Sequence, residues 1–286
     1  MDNHPKIMYG KDAVAAIKDR AIKDRVKQFI TDHQSDIPTL AIVYSSQYAT
    51  NSIDQFTKGI IKDCNEVGIN IRMVDISSHT VKKSISAIKD LNKDPNITGV
   101  IVQRPLPFTH EDEERVVASI DPNKSIDMIH PLRVVMPCTP TGIMSLLLHY
   151  TEDDYLNGKH VVIINRSENI GRPLVNMLLD EDATVTICHS HTQNLEDITK
   201  TADVLITAVG IPRLIRANML KEHAIVIDAG CTIDKNGKTH GDVYFEEACK
   251  KVSAISPVPG GVGPMTRAAV MENVIHLWNY QHPDTP

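Results

Sequence analysis

The stretch "VVIINRSENIGRPLVNMLL", residues 161–179, decides how this chain is to be read. Residues 161–164 are apolar and β-branched, a polar turn follows, and the apolar spacing after Pro173 is helical. Where a strand ends and a helix begins, backbone N–H groups and the positive end of the helix dipole favour a phosphate. Such a turn needs residues that tolerate unusual backbone angles and close approach. Asn165, Ser167 and Gly171 take those places. Asn readily accepts positive φ, Ser167 is small and can donate a hydrogen bond, and Pro173 fits the first turn of a helix. There is one glycine where the familiar dinucleotide fingerprint has three, so this segment alone leaves a ligand-free strand–loop–helix open.

The next strand bears on the nucleotide. An NAD site commonly carries an acid near the end of that strand. Here it ends "TVTICHSHT" (184–192), with His189, Ser190 and His191 and no acid. Together with Arg166 in the turn, this suits the extra phosphate of NADP.

Helical and strand patterns alternate on both sides of this unit, which implies α/β layers around a mainly parallel sheet. Upstream, strands are expected at 39–45, 69–76 and 98–104, with amphipathic stretches near 11–34, 52–66 and 80–92. Downstream, strands are expected at 160–165, 183–188, 203–209, 224–229 and 252–256. The segment 141–150 reads as a linking helix and 266–281 as a final one. A length of 286 residues is a soft prior for two domains, and 42% hydrophobic with 23% charged residues is ordinary for a globular chain.

A net charge of −6 and the lack of a basic stripe argue against nucleic acid as a partner. No apolar run reaches the roughly 18 residues of a membrane span, and the first residues do not resemble a secretory signal. Five scattered cysteines argue for a reducing compartment, taken as cytoplasmic, and 13 histidines without ligand spacing predict no metal.

Several phrases then fall together in order: "VIVQRPLP" (100–107), "MPCTPTG" (136–142), the turn at 165–173, "ADVLITAVGIP" (202–212), "VIDAGCT" (226–232), "GDVYFEEA" (241–248) and "SPVPGGVGPMT" (256–266). On these the chain resembles the methylenetetrahydrofolate dehydrogenase/methenyltetrahydrofolate cyclohydrolase family, from about residue 6 to 280. The resemblance implies an α/β substrate domain plus a Rossmann-type NAD(P)-binding domain with a cleft between them. The expected boundaries are 1–140 for the substrate domain, completed by a C-terminal helix at 267–286, and 141–266 for the Rossmann domain. It implies oxidation of methylenetetrahydrofolate to the methenyl form with NADP, followed by cyclohydrolase opening to formyl-tetrahydrofolate, in a homodimer.

Site residues follow position by position. The cofactor set is Asn165, Arg166, Ser167, Gly171, Ser190, Cys231 and Thr266, the last also as an N-cap. Gln103 matches the glutamine of the family's "VQLPLP", and Asp127 the aspartate that holds the pterin ring. A carboxylate suits that edge because it accepts two parallel N–H donors, with a helix or turn cap as the alternative for Asp127. Pro259, Gly260 and Gly261 would line the folate and nicotinamide end, with "PCTP" (137–140) beside them and Cys138 inert.

The chain also departs from the family. The family helix carries a tyrosine and, four residues later, a lysine that serves water addition. Counting back from "CNEVGI" puts Phe56 and Ile60 in these places, while counting forward from "LAIV" puts Asp54 and Lys58 there. Two extra residues inside a helix rotate everything beyond them by about 200°, whereas a loop insertion is cheap. Ile53, Phe56, Ile60, Cys64 and Val67 already form one apolar stripe, so the insertion belongs in the loop "SSQYATN" (45–51) and Ile60 fills the lysine place. Arg104 replaces a leucine, Met128 replaces a glycine, and the segment up to Pro137 is short. A buried arginine needs a partner, so Arg104 would meet a substrate carboxylate or face solvent. These changes keep two alternatives open: a non-catalytic NADP- or folate-binding paralogue, and a Rossmann dehydrogenase for another carboxylate-bearing substrate.

Overall fold

The computed structural model describes residues 4–16, 22–33, 36–48, 51–128 and 134–283. In chain order the first elements are β1 (Lys6–Ile7), α1 (Gly10–Ala16), α2 (Ile22–Asp32), β2 (Thr39–Tyr44), α3 (Asn51–Val67), β3 (Asn70–Asp75), α4 (Val81–Lys93), β4 (Gly99–Val102) and α5 (His110–Val117). Then come α6 (Cys138–Tyr150), β5 (His160–Ile164), α7 (Gly171–Leu179), β6 (Thr184–Cys188), α8 (Leu195–Thr199), β7 (Val204–Thr207) and β8 (Ile225–Asp228). A hairpin of β9 (Thr232–Ile233) and β10 (Thr239–His240), α9 (Phe245–Ala248), β11 (Ala254–Ile255) and α10 (Val262–Gln281) complete the chain.

Two compact units result, one of Met1–Asp19 with Thr139–Thr266, the other of Arg20–Cys138 with Arg267–Pro286. The second unit holds a parallel sheet in the order β3-β2-β4. Its central strand is buried along residues 40–43, the pattern of a parallel strand covered on both faces. Ala41 and Val43 pack with Ile88, Leu91, Val116 and Val117 under α4 and α5. Both helices start on threonine caps: Thr80 Oγ1 accepts from Lys83 N and Thr109 Oγ1 from Asp112 N. The far end of α10 brings Trp278, 2% exposed, edge-on to Phe29 of α2 at 5.1 Å.

The first unit holds a six-stranded sheet in the order β1-β11-β8-β7-β5-β6, with every pairing parallel. Strand β5 lies between β6 and β7, so chain order reverses there. Open α/β sheets bind ligands at the carboxyl ends of strands beside such a switch point. The turn after residue 164 stands at this position.

The structure corrects the sequence expectations in three places. Residues 1–19 belong to the nucleotide-binding unit, because β1 pairs with β11 through Lys6↔Ala254 and Ile7↔Ile255. The amphipathic stretch expected at 11–34 contains the described helices α1 and α2. Helix α6 begins at Cys138, three residues before the expected start at 141, so "PCTP" enters the helix. Helix α10 begins at Val262, so Thr266 is no N-cap; its hydroxyl donates to Val262 O one turn back at 3.3 Å.

Candidate active site

In the substrate unit, Gln103 follows β4 directly and is 8% exposed. Its backbone N–H donates to Val43 O at 2.8 Å, and its Oε1 accepts from Thr57 Oγ1 of α3 at 3.4 Å. On α3, Ile60, Cys64 and Val67 are buried, Phe56 is half-buried and Lys58 is exposed. The apolar stripe read from the sequence therefore faces inward with Ile60 in it, at 1% exposure. The side chains of Ile53 and Asp54 lie outside the described residues.

Asp127 Oδ1 accepts from the backbone N–H of Cys138, the first residue of α6, at 2.7 Å. The aspartate thus does cap a helix, eleven residues along the chain. Burial raises its pKa, while the Cys138 amide and the Arg104 charge pull the other way. Burial also lifts the Cys138 thiol well above its ordinary value, which keeps it inert. The Asn273 amide of α10 donates to Ile126 O at 2.9 Å and Met136 O at 2.8 Å, fixing the backbone just before Asp127 and just before Cys138.

Arg104 does not wait for a substrate carboxylate. Its Nη1 lies 2.5 Å from Glu114 Oε1 and 3.4 Å from Glu113 Oε1, and its Nη2 donates to Glu114 Oε2 at 3.3 Å. The arginine holds the Glu114 carboxyl below its usual range. Glu113 is tied down in turn, because its Oε2 accepts from Leu106 N at 2.6 Å. The partner that a half-buried arginine requires is supplied by α5.

In the nucleotide-binding unit, the turn between β5 and α7 brings Asn165, Arg166, Ser167 and Gly171 together. Arg166 and Ser167 are exposed. A Cβ on Gly171 would stand 2.0 Å from Asn165 O, so only glycine fits this close approach. Ser190 is exposed just after β6, in a bend where His189 N donates to Thr192 Oγ1 at 2.9 Å. These features fit a dinucleotide: a tight turn at the switch point, an exposed arginine, and no carboxylate in residues 189–192.

Cys231 is exposed just past β8. Pro259, Gly260 and Gly261 form a tight loop with Gly260 at φ +109°, where Gly261 N donates to Pro257 O and Gly10 N to Gly260 O, both at 2.8 Å.

Sequence reasoning gave no role to two buried acids behind this edge. Asp242 Oδ2 accepts from Thr207 Oγ1 at 2.9 Å and Val209 N at 2.7 Å, and its Oδ1 from Ile211 N at 2.9 Å, so one carboxylate shapes the loop after β7. Asp228 accepts from the backbone N–H groups of Gly230, Asp242 and Val243. Both acids stand in phrases that the sequence singles out, "VIDAGCT" and "GDVYFEEA". For Asp228 an acid between an apolar strand and a glycine was the available signal, and for Asp242 an acid following a glycine.

Fold and site define a two-domain α/β protein with a Rossmann-type nucleotide-binding unit. Residues 8–127 match the family model of the tetrahydrofolate dehydrogenase/cyclohydrolase catalytic domain, and residues 137–282 match that of its NAD(P)-binding domain. The chain belongs to the tetrahydrofolate dehydrogenase/cyclohydrolase family. A bifunctional FolD protein of Acetivibrio thermocellus is 38% identical over 280 residues, covering 94% of this chain and 95% of that relative. The crystal structure of the bifunctional FolD enzyme of Campylobacter jejuni is similar with a TM-score of 0.83 at 36% identity, covering 96% of this chain and 99% of that one. The FolD enzyme of Trypanosoma brucei, solved with NADP and an inhibitor, is similar with a TM-score of 0.86 at 26% identity, covering 97% and 98%. Among the described residues no helix is long and apolar enough to cross a membrane.

Proposed function

We propose that this protein oxidises methylenetetrahydrofolate to methenyltetrahydrofolate with NADP, and that this dehydrogenase step outweighs the cyclohydrolase step. The observation that carries the first part is the turn at the sheet's switch point, with Arg166 exposed and no acid after β6, in a chain that also carries the family's catalytic domain. Asn165, Arg166, Ser167, Gly171 and Ser190 would hold the cofactor. When bound, it supplies the hydride acceptor. Gln103 and Asp127 would orient the folate, with Asp127 taking N–H donors of the pterin edge. Phe56 would line the folate site of its unit, and family resemblance gives Pro259, Gly260 and Gly261 a substrate-binding role.

Hydride transfer depends on positioning and on a tolerable site for the developing cation more than on an acid or base. Water addition needs proton management beside the attacked carbon. Ile60, buried in the apolar stripe, offers none, which supports the bias towards oxidation. The pairing of Arg104 with Glu114 and Glu113 removes the reason for a carboxylate-bearing substrate at that position.

Purified protein assayed for both steps tests this reading. The expected result is robust NADP reduction with weak cyclohydrolase turnover, unchanged in kind by Lys58→Met. Strong cyclohydrolase activity abolished by Lys58→Met would overturn the assignment of Ile60. By family resemblance we further infer a cytoplasmic homodimer. Sedimentation at micromolar concentration checks its mass.

A further inference from the structure

Asn165 opens the turn after β5, and its side chain takes on work that a glycine there could not do. Its Oδ1 accepts three hydrogen bonds: from Ser167 N at 2.8 Å, Ser167 Oγ at 2.8 Å and Gly171 N at 3.0 Å. Its Nδ2 donates to Ala208 O, just past β7, at 2.6 Å. One carboxamide therefore fixes the start of α7, sets the rotamer of Ser167, and ties the turn after β5 to the turn after β7. Those two strands are the neighbours at which chain order reverses in the sheet. Ser167 Oγ also accepts from Ile170 N at 3.2 Å, so the hydroxyl is held from both sides.

The physical consequence concerns ordering. With glycine at 165, the Ser167 and Gly171 amides would have to be organised by the ligand itself, and ordering a polar turn at binding costs affinity. Here that ordering is completed when the unit folds. A buried or half-buried amide that satisfies several groups at once fixes its neighbours' geometry.

We propose that Asn165 is the positioning residue of the cofactor turn: its carboxamide, spanning the switch point from β5 to β7, presets Ser167 and Gly171 for the dinucleotide and does so without reading the 2′-phosphate. This deepens the functional reading above and rests on it. Asn165 acts on the part of the turn common to both dinucleotides, whereas Arg166 acts on the extra phosphate. Losing Asn165 weakens NADPH and NADH alike, and losing Arg166 weakens NADPH selectively.

Direct titration by nucleotide fluorescence tests the proposal without turnover. Asn165→Gly and Asn165→Ser are compared with Arg166→Ala and wild type, using NADPH and NADH as probes. Asn165→Gly is expected to raise both dissociation constants by roughly tenfold, the scale of one to two lost hydrogen bonds. Asn165→Ser retains a short acceptor and recovers part of the loss. The Ser167 and Gly171 amides are expected to exchange faster with deuterium in ligand-free Asn165→Gly than in wild type.

Wild-type dissociation constants in both Asn165 variants would overturn the role of Asn165 alone, as would selective loss of NADPH in Asn165→Gly. Should Asn165→Gly fail to fold, full wild-type affinity in Asn165→Ser together with unaltered amide exchange would overturn it as well. A wild-type protein that binds neither dinucleotide would overturn the functional reading, and this role with it.

Discussion

Asp228 shows how a single buried side chain can govern stability without touching a ligand. It is 3% exposed, and burial, the largest influence, pushes its pKa up to about 7. Its proton is bound more tightly in the folded chain than in the unfolded one. The associated stability is therefore complete below the ordinary carboxylate pKa and is lost as pH climbs towards 7. Urea unfolding between pH 4 and 8 should show the decline flatten above that point. Asp228→Asn should cost about 1–3 kcal/mol, because its NH2 would replace one acceptor oxygen and face either the Val243 N–H or those of Gly230 and Asp242. Asp127 leads to a different measurement. Its pKa is raised by burial, and the proposed role in taking pterin N–H donors requires the ionised form, so under that proposal the folate KM should rise as pH falls through a range above that of ordinary carboxylates. Asp127→Asn should raise the folate KM and flatten that pH profile, while the NADPH dissociation constant holds.

Helix starts decide how far the elements could be read from the sequence. Strands β2 and β5–β8 were legible because continuous apolar runs between polar turns have little else to form. Helix α7 was legible because Pro173, its third residue, was taken as a first-turn proline. Helices α6 and α10 carry Pro140 and Pro264 in the same third position, yet Pro140 stood just outside the expected helix and Pro264, set in "GGVGP", read as loop. That reading put Thr266 at a helix start four residues too late. Strand β1 spans two residues and exists through its pairing with β11, which no local pattern announces, whereas β11 lies within the strand expected at 252–256. In the site, the cofactor turn and Gln103 could be found from local motifs. The carboxylate scaffolding by Asp242 and the Asn273 bridge depend on contacts far apart in sequence and could not. The same long-range packing predicts a sharp loss at Gly10 of α1, where a Cβ would stand 2.0 Å from Gly261 O. Gly10→Ala should cost more than ~2 kcal/mol in a thermal melt.

At the scale of the whole molecule, the division into two units bears on stability measurements. A ligand that binds only the native form at 100 times its dissociation constant stabilises by about 2.7 kcal/mol. NADP should therefore raise the melting temperature, and Arg166→Ala should reduce the gain more for NADP than for NAD. The sole tryptophan, Trp278, adds a spectroscopic consequence. It is buried in the substrate unit, with the His282 ring stacked at 4.3 Å and Phe29 edge-on. Indole emission is thus a beacon for that half of the chain alone. A urea titration followed by its red shift, set beside far-ultraviolet circular dichroism of the entire polypeptide, will reveal whether the halves melt together or in turn.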